Sequence, residues 1–342
     1  MSGARIALVF PGQGSQSPGM LAALAARYPA VQQCFAQASS ALGFDLWQLV
    51  AEGPAERLNA TEFTQPAMLA AGVATWRVWL EQGGAAPTVV SGHSLGEFTA
   101  LVCAGALAYE VAVKLVHERG RLMQSAVPDG QGAMAAILGL ADGEVEAACA
   151  EAQQQLARAQ PQGEAAHSPV AAPPQVVEAV NYNSPGQVVI AGHTAAVERA
   201  LQIARGKGAR RALRLPVSVP AHSSLMRPAA ALLQQYLARV QVSAPRCSYI
   251  SAVDARAHSD PDDIRATLVR QLAAPVRWTQ TVPALLHAAP TLIECGPGRV
   301  LTGLNRRIER GASCYALEDP AALAAALSAT GAANAATGAV HV

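Results

Sequence analysis

The sequence has no marked excess of charge of either sign. Its 342 residues include 25 lysines and arginines against 24 aspartates and glutamates, a formal net charge of +1. Such a chain offers no basic field to attract nucleic acid or an anionic membrane, so the sequence predicts neither as a partner. A bilayer-spanning run is also lacking, because the apolar stretch around Ser94 contains His93 and Glu97.

The cysteines lack the spacing of a redox or metal site. Six occur, at positions 34, 103, 149, 247, 295 and 314, and none belongs to a Cys-x-x-Cys pair. Most lie in apolar surroundings, which is typical of buried free thiols in a reducing compartment. No cluster of His, Cys and Asp has ligand spacing either, so we expect no metal and no bound cofactor.

The first apolar run, Ile6–Phe10, is broken at once by Pro11 and Gly12. It is too short for a signal peptide, and we therefore expect a cytoplasmic protein. Hydrophobic residues make up 51% of the chain and charged residues 14%. This balance indicates a globular protein that can bury a full core.

Strand-like and helix-like segments alternate in the first part of the chain. The strand at 6–10 is followed by helical patterns to about residue 82, and a strand at 88–91 leads to two helices that end near residue 126. This order predicts an α/β fold in which a parallel sheet carries helices on both faces.

A second, inserted subdomain is predicted after the first one. Its strand–helix–strand–strand–helix–strand order is that of a ferredoxin-like fold, with the last strand at 211–219. The predicted limits are 1–127 and 218–325 for the large α/β subdomain, 128–217 for the small one, 153–175 for a flexible insertion within it, and 326–342 for a disordered tail.

Ser94 lies at the centre of the Gly-x-Ser-x-Gly pattern Gly92–Gly96, directly after the strand at 88–91. This is the pattern of a nucleophile elbow, a turn so tight that its flanking residues must be small. The hydroxyl at the tip of such a turn is exposed, and its usual task is to attack an acyl carbon. Ser94 is therefore the predicted nucleophile.

Arg119 interrupts the apolar stripe of a predicted helix, four residues after Leu115 and three before Leu122. An inward-facing arginine is costly unless an anion partners it. From the spacing alone, that anion is either a protein carboxylate in a structural ion pair or a substrate carboxylate held by both arms of the guanidinium.

His222 follows the alternating residues of the strand at 211–219, at a carboxyl end where open α/β sheets bind ligands. One interpretation is a histidine that satisfies the start of the next helix, beside Ser223 and Ser224. The other is a general base, whose neutral imidazole takes the proton of the Ser94 hydroxyl and returns it to a leaving thiol.

The loop Gly12-Gln13-Gly14 permits a close approach of backbone N–H groups. No Gly-Lys-Ser/Thr follows it, so an oxyanion hole formed by the amides of Gln13 and Leu95 fits better than a phosphate cradle. Gln271 interrupts another apolar face, where it either orients the histidine or satisfies its own helix end. Asn183 is interpreted as a turn residue.

Together these motifs resemble the malonyl-CoA:acyl carrier protein transacylases of bacterial fatty-acid synthesis. The resemblance runs in order through residues 5–325. The segments that carry it are Phe10–Gln16, Gly92–Glu97, Glu118–Gly120, Gly132–Ala136, Asn183–Gln187, Pro216–Pro220 with His222, and Gly296–Gly298.

The resemblance implies an α/β-hydrolase-like large subdomain and a ferredoxin-like small one. It also implies ping-pong transfer of malonyl from malonyl-CoA to the phosphopantetheine thiol of acyl carrier protein, with coenzyme A as the released product. The implied roles are nucleophile for Ser94, base for His222, clamp on the malonyl carboxylate for Arg119, oxyanion donors for the amides of Gln13 and Leu95, and histidine partner, through backbone carbonyl or side chain, for Gln271, with Asn183 in support.

Other functions share parts of this pattern. An esterase or thioesterase uses Ser, acid and His in that chain order, which Ser94, Asp254 and His287 formally supply, although His287 lies in a helix-like segment. The malonyl transferase of malonate decarboxylase and a discrete polyketide synthase acyltransferase share the same acyl site. The intact elbow and Arg119 argue against a non-catalytic module that binds carrier protein.

Overall fold

The computed structural model describes residues 4–159 and 174–331. Its strands are β1 Ile6–Phe10, β2 Val89–Gly92, β3 Gly132–Leu138, β4 Val177–Ser184, β5 Gln187–His193, β6 Arg211–Arg214, β7 Ser248–Ser251, β8 Arg256–His258, β9 Thr291–Glu294 and β10 Ser313–Ala316. Its α-helices are α1 Ala22–Arg27, α2 Pro29–Leu42, α3 Leu46–Glu52, α4 Ala55–Asn59, α5 Thr61–Glu81, α6 Gly96–Cys103, α7 Tyr109–Ser125, α8 Asp142–Ala159, α9 Thr194–Gly206, α10 Arg227–Leu237, α11 Pro261–Arg270, α12 Trp278–Ala288, α13 Val300–Ile308 and α14 Pro320–Ala329.

The large sheet has six strands in the order β10-β9-β1-β2-β7-β8. All neighbours are parallel except the edge pair β7 and β8. The central strand β1 is an unbroken apolar run with every residue fully buried, as expected of a parallel strand covered on both faces. The carboxyl ends of β1 and β2 meet at one edge, where such sheets place their sites.

Helices cover both faces of this sheet. Ile6, Leu8 and Phe10 of β1 point into a core built largely from α2, α5, α7 and α10. Ala7 and Val9 point to the opposite face, into a core that α12 and α13 complete. The alternation follows from the two-residue period of a strand, and it confirms the predicted α/β fold with helices on both faces.

The small sheet has four strands in the order β4-β5-β3-β6, and all neighbours are antiparallel. With α8 between β3 and β4 and α9 between β5 and β6, this is the predicted ferredoxin-like order. The two helices cover one face of the sheet. The other face, with Met134, Val180 and Val189, turns towards Val217 and Ala221 and the cavity described below.

Two predicted segments differ from the structure at their ends. The strand predicted at 211–219 ends at Arg214, because Leu215 makes the last backbone hydrogen bond to Met134 and Pro216 has no N–H to continue the ladder. The predicted tail at 326–342 begins too early, since α14 continues to Ala329 with Leu327 buried. Residues 332–342 lie outside the described residues.

The predicted flexible insertion 153–175 is also too long. Residues 153–159 complete α8, where Ala152 and Cys149 bury its inner face. Residues 160–173 lie outside the described residues. The limits proposed for the two subdomains stay predictions.

All six cysteines have free thiols, five of them buried and Cys247 half-buried. This confirms the prediction of buried thiols from their apolar surroundings. Within residues 4–159 and 174–331, no helix is both long and apolar enough to cross a membrane.

Candidate active site

Ser94 occupies a strained turn between β2 and α6. Its φ of 53° is in the left-handed region, which a residue with a side chain adopts only where its surroundings enforce it. A Cβ on Gly92 would lie 1.9 Å from the carbonyl carbon of Gly96, and one on Gly96 would lie 2.0 Å from the Phe10 oxygen. The two glycines are therefore required by close packing, and the turn has the geometry of a nucleophile elbow.

His222 contacts the Ser94 hydroxyl directly. Its Nε2 lies 2.7 Å from the Ser94 Oγ, and its Nδ1 lies 2.8 Å from the backbone oxygen of Gln271. Because a carbonyl oxygen only accepts, Nδ1 carries the hydrogen and Nε2 is free to accept from the serine. The pair thus has the geometry and the tautomer of a nucleophile and its base.

The way in which the chain positions His222 differs from the sequence prediction. The histidine does not end a strand, since β6 stops at Arg214. Instead its backbone N–H donates to the Leu272 carbonyl, beyond the end of α11, at 3.0 Å. Its own φ is 67°, so this loop is held in an unfavourable conformation.

Burial, and after it the positive charge of Arg119, lower the pKa of His222 to about 3. The imidazole is therefore neutral at physiological pH. A neutral ring is the form that can take a proton from a hydroxyl.

Arg119 projects from α7 into the same site and is only 1% exposed. Its Nη1 donates to Gln65 Oε1 at 2.8 Å, and its Nη2 donates to Gln271 Oε1 at 2.9 Å and to Ser94 Oγ at 3.4 Å. The guanidinium also stacks over the Phe98 ring, 5.4 Å from its centroid. Every side-chain oxygen that it contacts is uncharged.

No salt bridge joins Arg119 to a carboxylate anywhere in the described residues, and its Nε has no hydrogen-bond partner there. Burial lowers its pKa to about 10, so the group stays charged at neutral pH. A structural ion pair, the first of the two interpretations of Arg119, is therefore wrong. In the part of the chain that the structure describes, this desolvated cation has no carboxylate in direct contact.

A cavity of about 420 Å³ joins these groups. It opens between the carboxyl edge of the large sheet and the apolar face of the small one. Its lining residues include Gln13, Gln65, Ser94, Leu95, Arg119, Met123, Met134, Asn181, Leu215, Val217, Ala221 and His222. Apolar walls around a few convergent polar groups are typical of a small-molecule site.

Gln13 and Leu95 both border this cavity. Among residues 4–159 and 174–331, neither N–H donates to a protein acceptor. The loop packs so closely on the elbow that a Cβ on Gly12 would lie 2.6 Å from the His93 oxygen. Two free donors beside a serine hydroxyl are what an oxyanion hole requires.

The structure settles which part of Gln271 contacts the histidine. The backbone carbonyl does so, while the side chain binds Arg119, the Ser94 carbonyl oxygen and Glu97. Asn183 is not a turn residue as predicted. It lies within β4, where its Oδ1 accepts a hydrogen bond from His93 Nε2 at 2.8 Å.

The alternative triad of an esterase does not assemble. His287 is exposed on α12. Asp254 instead contacts His258 and Arg270, at the far edge of the large sheet. Ser94 has His222 as its partner, so the assignment of Asp254 and His287 as its acid and base is wrong.

Three residues of the site were not identified from the sequence. Gln65 contacts Arg119 from 54 residues away, His93 binds Asn183, and Glu97 binds Gln271. The signal for Gln65 and Glu97 was a polar residue beside apolar residues of a helix. That signal shows that a partner is needed but does not identify the partner.

Comparisons with known proteins agree with this geometry. The sequence profile of the family described as Acyl transferase domain matches residues 7–308. A malonyl CoA-acyl carrier protein transacylase of Salmonella typhimurium is 52% identical over 324 residues, covering 94% of this chain and 99% of that protein.

Two solved structures are similar over nearly their whole length. An acyl carrier protein S-malonyltransferase from Vibrio cholerae matches with a TM-score of 0.85 and 51% identity, covering 94% of this chain and 100% of that one. A malonyl-transacylase in complex with its type II polyketide synthase acyl-carrier protein matches with a TM-score of 0.88 and 49% identity, covering 95% and 100%.

Proposed function

The chain belongs to the family of malonyl-CoA:acyl carrier protein transacylases, and from this premise we propose that it moves malonyl from malonyl-CoA to the phosphopantetheine thiol of an acyl carrier protein. The observation that carries the proposal is the position of Arg119. This buried cation has no carboxylate partner among the described residues, and it lies 3.4 Å from the hydroxyl of Ser94.

In the first half-reaction, Ser94 Oγ attacks the thioester carbonyl while His222 Nε2 takes the hydroxyl proton. The N–H groups of Gln13 and Leu95 hold the negative charge that develops on the carbonyl oxygen. The carbon–sulfur bond then breaks, and His222 returns the proton to the coenzyme A thiolate. The products are a malonyl ester on Ser94 and free coenzyme A.

The second half-reaction runs the same steps in reverse with a different thiol. His222 takes the proton of the carrier thiol, whose sulfur attacks the ester carbonyl. The bond between the carbonyl carbon and Ser94 Oγ breaks, and the proton returns to Oγ. One thioester is exchanged for another, so the reaction is close to thermoneutral and a reversible covalent intermediate suits it.

Selectivity for malonyl follows from Arg119. A malonyl carboxylate gives the desolvated guanidinium the anion that it lacks, with two parallel hydrogen bonds available. An acetyl group leaves it unpaired. The loss of a charged hydrogen-bond partner costs roughly 3–4 kcal/mol, a discrimination of about 10²–10³.

His222 needs no carboxylate behind it in this scheme. The backbone oxygen of Gln271 holds Nδ1–H and so fixes the tautomer, and a thiolate is a good leaving group that requires only weak activation. Every step uses groups of the protein and the thioester itself. The scheme calls for no metal and no bound cofactor.

Fatty-acid synthesis is the pathway that we propose, with the reaction taking place in the cytoplasm. The relatives are named malonyl CoA-acyl carrier protein transacylases, which supports transfer to a carrier protein, and the choice of pathway rests on the resemblance of the motifs to the transacylases of fatty-acid synthesis. The second candidate is supply of malonyl to a polyketide synthase. It is supported by the similarity to a transacylase solved with a type II polyketide synthase carrier protein.

Transfer to a panel of purified carrier proteins tests the proposed function. We expect the highest kcat/KM with a fatty-acid synthesis carrier in its phosphopantetheinylated form, and no transfer to the form that lacks the arm. Release of malonyl to water should be slow compared with transfer. Turnover with a polyketide carrier and none with the fatty-acid carrier would contradict the choice of pathway, and hydrolysis alone would contradict transfer.

The low pKa of His222 predicts an unusual pH dependence of acylation. Since burial and then the Arg119 charge lower this pKa to about 3, the imidazole stays able to accept a proton as the pH falls. We expect kcat/KM for acetyl-CoA, whose acyl group carries no titrating carboxylate, to stay flat from about pH 7 to pH 5. A histidine with an ordinary pKa would lose this form below about pH 6.5.

The control for this profile is Arg119→Ala. Removal of the positive charge raises the pKa of His222. As the pH is lowered, kcat/KM for acetyl-CoA should therefore begin to fall at a higher pH in the variant than in the unmodified protein. Circular dichroism at each pH confirms that the fold persists. A fall in kcat/KM near pH 6.5 that is the same in both proteins would contradict a base with a lowered pKa.

A further inference from the structure

Glu97 is a buried carboxylate that the proposed reaction does not use. It lies in the first turn of α6, three residues after Ser94, and it is fully buried. Its Oε1 accepts a hydrogen bond from Gln271 Nε2 at 2.9 Å, and its Oε2 accepts one from the Tyr249 hydroxyl. Burial raises the pKa of Glu97, and hydrogen bonds oppose that shift, those from Tyr249 and Gln271 before those from Ser251 and the Ala252 backbone.

The amide of Gln271 connects this carboxylate to Arg119. Its nitrogen donates to Glu97 and to the Ser94 carbonyl oxygen, each at 2.9 Å, and its Oε1 accepts from Arg119 Nη2 at 2.9 Å. If the amide group were rotated by half a turn, its N–H groups would face the N–H groups of the guanidinium. Its oxygen would then face the Glu97 and Ser94 oxygens, which are both acceptors. The orientation of this amide is thus fixed by what lies on either side of it.

Glu97 supplies one of the two acceptors that hold the amide in this orientation. The Ser94 carbonyl oxygen takes one of the two N–H bonds, and without Glu97 the other would be left buried without a partner. Only the Ser94 carbonyl and Arg119 would then hold the amide, which would shift to find an acceptor for the freed N–H. The guanidinium would move from the position in which it faces the Ser94 hydroxyl.

The Tyr249 hydroxyl holds the carboxylate in turn, and Tyr249 is itself fully buried on β7. Glu97 reaches Arg119 only through the Gln271 amide. A carboxylate in direct contact would occupy the N–H groups that a substrate needs. With the Gln271 amide between them, Arg119 is held in place but keeps its capacity for an anion.

We propose that Glu97, held by Tyr249, is a positioning residue for malonyl selectivity: it sets the Gln271 amide so that Arg119 stays aimed at the acyl group on Ser94. The inference rests on the proposed function, because it assigns how the same site keeps its clamp in place.

The test compares Glu97→Leu and Glu97→Gln by kcat/KM for malonyl-CoA and for acetyl-CoA. Leucine removes the acceptor, so we expect the malonyl-to-acetyl ratio to fall by about tenfold or more, chiefly through a higher KM for malonyl-CoA. Glutamine can accept from Gln271 through its oxygen while its nitrogen donates to the Tyr249 hydroxyl. It should therefore restore the ratio to within about threefold of the unmodified value.

Tyr249→Phe supplies a milder variant, in case Glu97→Leu does not fold. It removes the donor that holds the second carboxylate oxygen, and the ratio should fall by about two- to fivefold. The matched control is Glu294→Gln. Glu294 is also fully buried, but its carboxylate caps α13 by accepting from the N–H groups of Leu301 and Thr302. This variant should lose stability without a change in the ratio.

If Glu97→Leu or Tyr249→Phe lowered kcat/KM equally for malonyl-CoA and acetyl-CoA, the inference would be overturned. A purely structural role would affect both acyl groups alike. So would a Glu97→Gln variant as unselective as Glu97→Leu. Failure of the proposed function has a different signature. In that case the unmodified protein itself would not transfer malonyl in preference to acetyl.

Discussion

Replacement of Ser94 by alanine is expected to lower malonyl transfer by about 10⁴–10⁶-fold. The loss is this large because both half-reactions pass through an ester on the same oxygen, so neither can proceed without it. His222 would keep its hydrogen bond to the Gln271 carbonyl, and Arg119 its two amide partners. Stopped-flow or radiolabel assays of transfer to carrier protein measure the loss, and intact-protein mass shows whether an acyl adduct forms.

Ser91→Ala is the matched control for this change. Ser91 lies on β2, fully buried, and its Oγ has no hydrogen-bond partner among the described residues. It does not border the cavity, so transfer should be unchanged. A stable malonyl adduct on the Ser94→Ala protein would place the nucleophile elsewhere in the chain.

Arg119→Ala is expected to remove the preference for malonyl over acetyl. The ratio of the two kcat/KM values should fall by about 10²–10³, because the variant has no desolvated cation left to distinguish a carboxylate from a methyl group. Acylation by acetyl-CoA should be affected far less. Initial rates with each donor, measured at fixed carrier concentration, give the ratio.

Two further variants separate charge from geometry in this result. Arg121→Ala removes a positive charge from the same helix, but Arg121 is exposed and paired with Glu118, so selectivity should not change. Arg119→Lys keeps the charge without the planar fork of the guanidinium and should retain only part of the preference. An Arg119→Ala protein that is as selective as the unmodified one would refute the clamp.

Local patterns in the sequence were enough to locate the candidate nucleophile and the buried cation. The elbow is encoded within Gly92–Gly96, since steric limits on a tight turn act between neighbours in sequence. Arg119 was visible as a break in a helical stripe for the same local reason. The sheet order of the small subdomain also followed from the order of its elements, because few topologies satisfy it.

Contacts between distant segments could not be predicted in the same way. His222 was expected at the end of a strand, yet the Leu272 and Gln271 carbonyls, 50 and 49 residues further along the chain, hold its backbone and its ring. A backbone carbonyl leaves no trace in composition or spacing. Likewise Asn183 had the appearance of a turn residue, and only the folded chain brings it to His93, 90 residues away.

The most direct test of the joint roles of Arg119 and Ser94 is a competition in a single acylation. The unmodified protein is mixed with equal concentrations of malonyl-CoA and acetyl-CoA without carrier protein, quenched, and mapped by peptide mass. We expect malonyl on Ser94 in an excess of about 10²–10³ over acetyl. Acetyl in comparable amount, or malonyl on any other residue, would contradict the assignment.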